Sequence, residues 1–200
     1  MTEITKHNFW DTIEEWRDPS KITFEYCGRT SLYTKMYREC KQFDGWSHTF
    51  DGKNFSEELR YNLTTLSGAP MERWEYLVEV QFSEQGDGLA TEDMDYWWTV
   101  PQKEDFPTIY KFMSENPEFT NPVLSKLGPN HQLLAHNHGP EHQWLFNLSI
   151  NEPVGSKFAI YPTGPIDYKP GDIYKLYVNN DHAVVNGNET RYHLLFRGGR

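Results

Sequence analysis

The stretch "HQLLAHNHGPEHQWLFNLSI", residues 131–150, decides the fold and raises the question of function. Two apolar segments flank a Gly-Pro break, which is the pattern of two short strands joined by a turn. The same stretch holds three histidines close together, His136, His138 and His142. It is therefore either a strand pair that carries a metal site or a polar loop that is rich in histidine.

The pattern of this stretch continues to the C-terminus. Short segments rich in Val, Leu, Ile, Phe and Tyr alternate with breaks such as "NEPVG", "PTGPIDYKPG" and "NGNET". Many short strands with frequent turn residues indicate an all-β sandwich or barrel. The predicted strands lie near residues 122–127, 131–138, 143–150, 157–162, 172–178, 182–186 and 191–197.

The N-terminal part is predicted to consist mostly of helices and loops. Ile4, Phe9, Ile13 and Trp16 share one helical face. Segments 31–43, 54–66 and 104–116 predict further helices, the last with Pro107 in its first turn, and 73–82 alternates like a strand. No linker is evident. We therefore predict one domain over residues 1–200, in which a helical or mixed part (1–104) packs on a β-rich core (105–200).

Composition excludes several functional classes. The 200 residues carry a formal net charge of −10, which disfavours general binding to nucleic acid or to anionic membranes. The chain has no GxGxxG or GxxxxGK[ST] motif, and its two cysteines do not make a disulfide framework. The polar N-terminus lacks the apolar segment of a secretory signal, so we expect a cytoplasmic protein without a membrane anchor.

Strand geometry groups the histidines into a candidate metal site. Residues i and i+2 of a strand face the same side, so His136 and His138 point the same way. His182 lies on another predicted strand, which a sandwich can bring opposite the first. Two imidazoles and a third group can hold a divalent metal. A single strand histidine is more often a surface or hydrogen-bonded residue, so the prediction depends on the combination.

Arg191 adds a site for an anion. It lies on the next predicted strand, and a buried arginine requires an anionic partner, for which a carboxylate is the natural choice. Taken alone, Arg191 is more simply explained as half of a surface ion pair. Together, two or three histidines and this arginine match a non-haem Fe(II) centre with an oxo-acid cosubstrate. Such centres usually include an Asp or Glu two residues after a histidine, and no histidine here has one.

The region from about residue 105 to 197 resembles the aspartyl/asparaginyl β-hydroxylase family of Fe(II)/2-oxoglutarate oxygenases. The resemblance is carried by Ser125 followed by "GPNHQLLAHNHGPEHQWLFNLSI", and by "KPGDIYKLYVNNDHAVVN". Some members of that family bind iron with two histidines and no carboxylate. The resemblance implies a mainly β fold, a cupin-like double-stranded β-helix or jelly roll with the N-terminal helices packed on it.

The resemblance also assigns residues and chemistry. It implies His136, His182 and Arg191 as the catalytic residues, with iron on the two histidines. Arg191 and Ser125 would bind the far carboxylate of 2-oxoglutarate, and Asn147 falls where the family has a histidine near the metal-proximal carboxylate. The implied activity uses Fe(II), 2-oxoglutarate and O2 to hydroxylate an unactivated C–H of an amino acid or an Asp/Asn-type residue, in a small molecule or a peptide.

The chain departs from the family at two positions. His138 stands where the family often has Gly, and it is a third metal ligand, a hydrogen-bonding residue or turned away. Leu145 replaces a family arginine, for which Gln143 is a substitute on the same predicted strand face. Asp181 and Asn186 are candidates for orienting the histidines.

Two other functions fit the same sequence. The first is a cupin metalloenzyme, a dioxygenase or isomerase without 2-oxoglutarate, in which His136, His138, Glu141 and His182 bind the metal and Arg191 has no role. The second is a non-enzymatic β-sandwich binding module that stacks Tyr96, Trp97, Trp98 and Trp144 on a sugar or peptide. Core packing is the simpler explanation of "DYWW" at 95–98.

Overall fold

The computed structural model describes residues 2–6, 8–44, 103–140 and 143–198, with the backbone of two short strands at 47–48 and 78–81. The predicted helix at 54–66 and the residues Glu141, His142 and 95–98 lie outside this part of the chain. Within it, the three helices are α1 (Ile13–Trp16), α2 (Tyr33–Gln42) and α3 (Pro107–Glu115). The predicted helices at 31–43 and 104–116 are therefore confirmed, whereas only the end of the predicted N-terminal helix is helical.

Eleven strands are described. They are β1 (Phe24–Arg29), β2 (Ser47–His48), β3 (Val78–Gln81), β4 (Phe119–Leu127), β5 (Gln132–His136), β6 (Leu145–Ser149), β7 (Lys157–Ile160), β8 (Gly164–Ile166), β9 (Asp172–Leu176), β10 (His182–Val185) and β11 (Arg191–Gly198). All seven strands predicted after residue 120 are present, with ends shifted by a few residues. The sequence did not predict β1, β2 and β8.

Two antiparallel sheets face each other. The large sheet has the order β1-β9-β6-β11-β4-β3-β2, and the small sheet has the order β5-β10-β7-β8. Strands that follow each other in sequence often lie in opposite sheets, as β4 and β5 do. This arrangement is a double-stranded β-helix, so the fold expected from the sequence is confirmed.

The helices cover the outer faces of the sheets. Met36 on α2 and Ile109 on α3 pack with Leu148 and Leu194 of the large sheet, all fully buried. On the other side, Phe9 and Trp16 pack against Ala159 and Ala183 of the small sheet. The small alanine side chains let the two large rings approach the strands closely. The N-terminal helices are therefore packed on the β-core, as predicted.

The space between the sheets is apolar in its middle. Leu127 and Leu176 of the large sheet meet Phe158, Ile160 and Val184 of the small sheet. Each such side chain contributes about 1.5–3 kcal/mol when fully buried, so this layer holds the sheets together. Polar side chains lie at its two ends. No helix in the described ranges has the length and apolar character needed to cross a bilayer.

Candidate metal centre

Three imidazoles converge where two strands of the small sheet meet. His136 is the last residue of β5 and His182 the first of β10, and the two are direct cross-strand partners. His138 follows two residues after β5 ends. The ring centroid of His136 lies 5.5 Å from that of His138 and 4.4 Å from that of His182. One nitrogen from each ring lies within 4.8 Å of the others, so the three could hold one metal ion. We call them the histidine cluster.

Local contacts hold the histidine cluster together. His138 lies outside β5, contrary to the predicted strand 131–138, but its backbone N–H donates to the carbonyl of Val178 at 2.9 Å. The Asn137 side-chain amide donates to Asp181 at 2.7 Å, which joins the end of β5 to the start of β10. Gly139 then takes a positive φ of 81°, a conformation that glycine adopts at little cost, and the chain turns away.

Two backbone carbonyls orient the ring nitrogens. The Nδ1 atom of His136 lies 2.7 Å from the carbonyl oxygen of Leu134, and that of His182 lies 2.9 Å from the carbonyl of Asn180. A carbonyl can only accept, so each Nδ1 carries the proton and each Nε2 keeps a lone pair. This is the tautomer that a metal-binding histidine needs when a backbone group orients its ring.

The surroundings keep these imidazoles uncharged. Burial lowers the pKa of His182 well below its usual value, and the neighbouring His136 and His138 lower it further. Desolvation also lowers the pKa of His136, against the opposing effects of the Leu134 carbonyl and Asp181. His136 keeps an exposed edge, His138 is half-buried and His182 is buried. His136 and His182 are therefore uncharged at neutral pH, and the histidine cluster is open to solvent on one side.

A second polar group occupies the other end of the space between the sheets. Arg191 begins β11 opposite Leu127, and it is only 6% exposed. Its Nε lies 3.4 Å from Oε2 of Glu152, and its Nη2 lies 3.5 Å from Oε1. The buried arginine therefore already has a carboxylate partner within the chain.

Glu152 is held by two further residues. The Nε2 atom of His193 lies 2.6 Å from its Oε1, and the hydroxyl of Ser149 donates to the same oxygen at 3.0 Å. On its other side, Nδ1 of His193 lies 2.5 Å from Oδ1 of Asn147 and 3.3 Å from Nη2 of Arg191. We call Arg191, Glu152, His193, Ser149 and Asn147 the arginine cluster.

The charges of the arginine cluster follow from these contacts. Burial alone would raise the pKa of Glu152, but Arg191, His193 and Ser149 lower it to about 2. Burial and the adjacent Arg191 lower the pKa of His193 to about 4, against the effect of Glu152. At neutral pH the cluster thus contains one cation, one anion and an uncharged imidazole.

Aromatic rings lie between the two clusters. The ring of Phe158 stacks on His182 at 5.9 Å, and it meets the ring of Tyr168 at 5.8 Å. Tyr168 in turn lies 5.2 Å from the ring of His193 and 6.0 Å from the guanidinium of Arg191. Its buried hydroxyl makes no hydrogen bond within the described residues. A buried hydroxyl of this kind can bind a water molecule or a polar atom of a ligand.

The structure brings some of the expected residues to these clusters and not others. Ser125 lies on β4 opposite His193 in the large sheet, and Asn147 contacts His193 directly. Gln143 precedes β6 and is exposed, so the expectation that it lies on the same strand face is wrong. Asn186 binds the carbonyls of Leu127 and Gly128, away from the histidine cluster.

Sequence reasoning missed three residues of the interior. Glu152 and Tyr168 lie in segments that the sequence marked only as breaks, and the sequence alone assigns no role to His193. The alternation in "RYHLL" could have identified His193, because it places His193 on the same strand face as Arg191.

Comparisons with solved structures found similar chains. A prolyl hydroxylase from Trichoplax adhaerens, solved in complex with a hypoxia-inducible factor peptide fragment, superimposes with a TM-score of 0.57 at 11% identity, covering 96% of this chain and 90% of its own. An oxidoreductase of the 2OG-Fe(II) oxygenase family from Burkholderia pseudomallei gives a TM-score of 0.44 at 11% identity, covering 71% and 78%. AviO1 from Streptomyces viridochromogenes gives 0.41 at 13% identity, covering 98% and 95%.

Sequence comparisons add nothing to the structural ones. No family model matches the chain, and no curated protein matches it. The likeness to the prolyl hydroxylase, at 11% identity, is therefore a likeness of fold, the double-stranded β-helix.

Proposed function

We propose that this protein is an Fe(II)-dependent oxygenase that uses a 2-oxo acid cosubstrate and O2 to hydroxylate an unactivated C–H bond. The cosubstrate that the family resemblance implies is 2-oxoglutarate. The observation that carries the proposal is the histidine cluster, in which three imidazoles meet at the open end of a double-stranded β-helix. The proposed substrate is an amino acid or an Asp/Asn-type residue, as the same resemblance implies.

The donor set fits a divalent transition metal. His136 and His182 would hold the ion through Nε2, because their Nδ1 atoms are engaged by backbone carbonyls. His138 would be the third ligand, in place of the carboxylate that such iron sites usually contain. Imidazoles also suit zinc, copper and nickel, so the choice of iron depends on the fold and the resemblance.

The interior fits an acid that reaches inward from the metal. Arg191 supplies a buried cation, Ser125 lies on the neighbouring strand β4, and the Tyr168 hydroxyl makes no hydrogen bond to any residue that the structure describes. Iron and a 2-oxo acid, when bound, would supply the activation of O2, with decarboxylation of the acid. The chain would contribute orientation and the exclusion of water by Phe158, Leu127 and Val184.

The open side of the histidine cluster is where a substrate would enter. His136 is exposed there and His138 half-buried, so a side chain presented from solvent could approach the metal. The Trichoplax prolyl hydroxylase was solved with a peptide fragment, which supports a peptide as one candidate substrate beside a free amino acid.

The test is an anaerobic titration of the Fe(II)-loaded protein with 2-oxo acids, followed by visible absorbance. We expect a metal-to-ligand charge-transfer band that saturates, and release of CO2 when O2 is admitted. His136→Ala and His182→Ala should abolish the band. The matched control is His131→Ala, which removes a histidine outside the cluster and should keep it. The absence of a band in the wild-type protein with every acid tried would contradict the proposal.

A cupin metalloenzyme without a 2-oxo acid remains the second candidate. Two observations favour it: His138 belongs to the histidine cluster, and Arg191 is already paired with Glu152. This function predicts tight binding of a metal by three histidines, turnover with O2 alone, and no charge-transfer band with 2-oxo acids. Glu141→Gln would then reduce metal affinity, whereas the oxygenase proposed above should tolerate it.

A further inference from the structure

We infer that Glu152 makes the arginine cluster select a 2-oxo acid whose inner end is uncharged, in preference to a dicarboxylate. The inference rests on the proposed function and concerns which cosubstrate that site accepts. It departs from the role that the sequence suggested for Arg191, because the structure supplies that arginine with a carboxylate of its own.

The first argument is geometric. A guanidinium binds a carboxylate best through two adjacent nitrogens that face both oxygens. In this protein Nε and Nη2 of Arg191 face the two oxygens of Glu152 at 3.4 and 3.5 Å. The Glu152 carboxylate therefore occupies one of the guanidinium edges that an incoming carboxylate would use.

The second argument is that Glu152 is fixed by more than Arg191. Its closest contacts are with Nε2 of His193 at 2.6 Å and with the Ser149 hydroxyl at 3.0 Å. His193 on β11 and Ser149 on β6 are cross-strand partners of each other, in the middle of the large sheet. A carboxylate ligand that displaced Glu152 would have to break these two hydrogen bonds and make them again with its own oxygens in the same positions, or leave buried polar atoms without partners at a cost.

The third argument is charge. Arg191 and Glu152 balance each other, and His193 is uncharged at neutral pH, so the arginine cluster has no excess positive charge. A second carboxylate beside Arg191 would lie close to that of Glu152 in a poorly solvated space. Like charges at such a distance repel strongly when water is excluded.

The fourth argument concerns how the site could bind an uncharged group in place of a second carboxylate. The Tyr168 hydroxyl is buried next to Arg191 and makes no hydrogen bond within the described residues. Burial raises its pKa well above the usual value, so the hydroxyl stays protonated and can donate. If the inner end of the 2-oxo acid were an alkyl, hydroxyl or amide group, it would contact apolar rings and this one donor. Such a group would bring no second negative charge into the site.

The experiment compares two probes on the same iron-loaded protein without O2. They are 2-oxoglutarate and 2-oxopentanoate, which has the same carbon chain with a methyl group in place of the second carboxylate. Dissociation constants come from the charge-transfer absorbance, and from calorimetry on the Mn(II)-loaded protein. We expect the wild-type protein to bind 2-oxopentanoate at least as tightly as 2-oxoglutarate. In Glu152→Gln, the preference should shift toward 2-oxoglutarate by about tenfold or more.

The matched control is Glu189→Gln, which removes an exposed carboxylate just before β11 and should leave the preference unchanged. A wild-type protein that prefers 2-oxoglutarate tenfold overturns the inference, even if Glu152→Gln fails to fold. So does a Glu152→Gln protein with weaker or unaltered binding of 2-oxoglutarate, which would make Glu152 a positioning residue for Arg191. Failure of both acids to bind in every variant would instead remove the proposed function itself, and the inference with it.

Discussion

The two polar ends of the β-helix differ in how many of their polar atoms are already bound by other groups of the chain. In the histidine cluster, the Nδ1 atoms of His136 and His182 are bound by backbone carbonyls, and one nitrogen of each of the three rings lies within 4.8 Å of the others. In the arginine cluster, the cation faces Glu152, and Glu152 is bound in turn by His193 and Ser149. The first end therefore has ring nitrogens that could bind a metal ion, whereas the side chains of the second end already pair with one another.

This difference shows which kind of buried polar group is the better indicator of a ligand site. A buried arginine is a weak indicator of an anionic ligand until its partners within the chain are known, because burial selects for internal pairing. Converging imidazoles are a stronger indicator. Their protonated nitrogens are already bonded to backbone carbonyls, so no internal partner is needed to explain their orientation.

The largest expected effect is on the histidine cluster. Replacing His182 by Ala removes a buried ligand, and we expect metal affinity to fall by more than about a hundredfold. Calorimetry with Fe(II) or Mn(II) measures this directly. His131→Ala should bind the metal as the wild-type protein does. If both variants kept full affinity, the metal would bind elsewhere and the contrast between the two ends would be lost.

The next effect concerns the arginine cluster. Arg191→Met leaves Glu152 buried without its cation, and we expect it to lower the free energy of unfolding by about 3–5 kcal/mol. The double variant with Glu152→Gln should recover part of this loss, since it no longer buries an unpaired charge. Urea denaturation of the single and double variants measures both values. Equal stability of Arg191→Met and the wild-type protein would show that the pair is not buried.

Part of the pH dependence of stability should arise from the arginine cluster. The folded-state pKa values of Glu152, about 2, and His193, about 4, both lie below the usual 4.5 and 6.5. The unfolded chain therefore binds protons more readily, and stability present at neutral pH is lost as the pH falls. His193 contributes this loss between about pH 6.5 and 4, and Glu152 between about pH 4.5 and 2, at roughly 1.4 kcal/mol per pKa unit.

Urea denaturation at several pH values measures that loss. His193→Gln should remove part of the loss above about pH 4.5; His136 and His182, whose pKa values burial also lowers, contribute to the remainder. Glu189→Gln is the control, because its exposed carboxylate should leave the curve almost unchanged. An unaltered slope in His193→Gln would assign the loss to other groups.

The smallest expected effect lies next to the histidine cluster. Asn137→Ala removes the hydrogen bond to Asp181 that joins the ends of β5 and β10. The two strands keep their backbone pairing, so we expect metal affinity to fall by less than about tenfold. Competition with a chelator measures a change of this size. A loss as large as that of His182→Ala would mean that this contact, rather than the strand pairing, holds the ligands in place.

The fold could be predicted where its pattern was local. Strands such as β6 and β11 can be recognised in the sequence as apolar segments bounded by turn residues. Helix α3 can be recognised by Pro107 in its first turn. In contrast, β1 is an edge strand whose residues are mostly exposed, and β8 is three residues long with a proline in its centre. Neither carries the alternation that marks a half-buried strand.

The site could be predicted to the same extent. His136 and His138 are two residues apart and His182 begins a later strand, so the grouping of the three histidines needs only strand geometry, whereas Arg191 lies in the separate arginine cluster. Glu152 reaches Arg191 from a loop 39 residues away. Nothing in "NEPVG" indicates that its carboxylate turns inward, since this depends on how the two sheets close.

The most direct test of the account is a crystal structure grown without O2 in the presence of Mn(II). The account predicts one ion bound to Nε2 of His136, His138 and His182, with Glu152 still paired to Arg191. An ion bound elsewhere, or a structure in which the three imidazoles point to different sides of the small sheet, would contradict it.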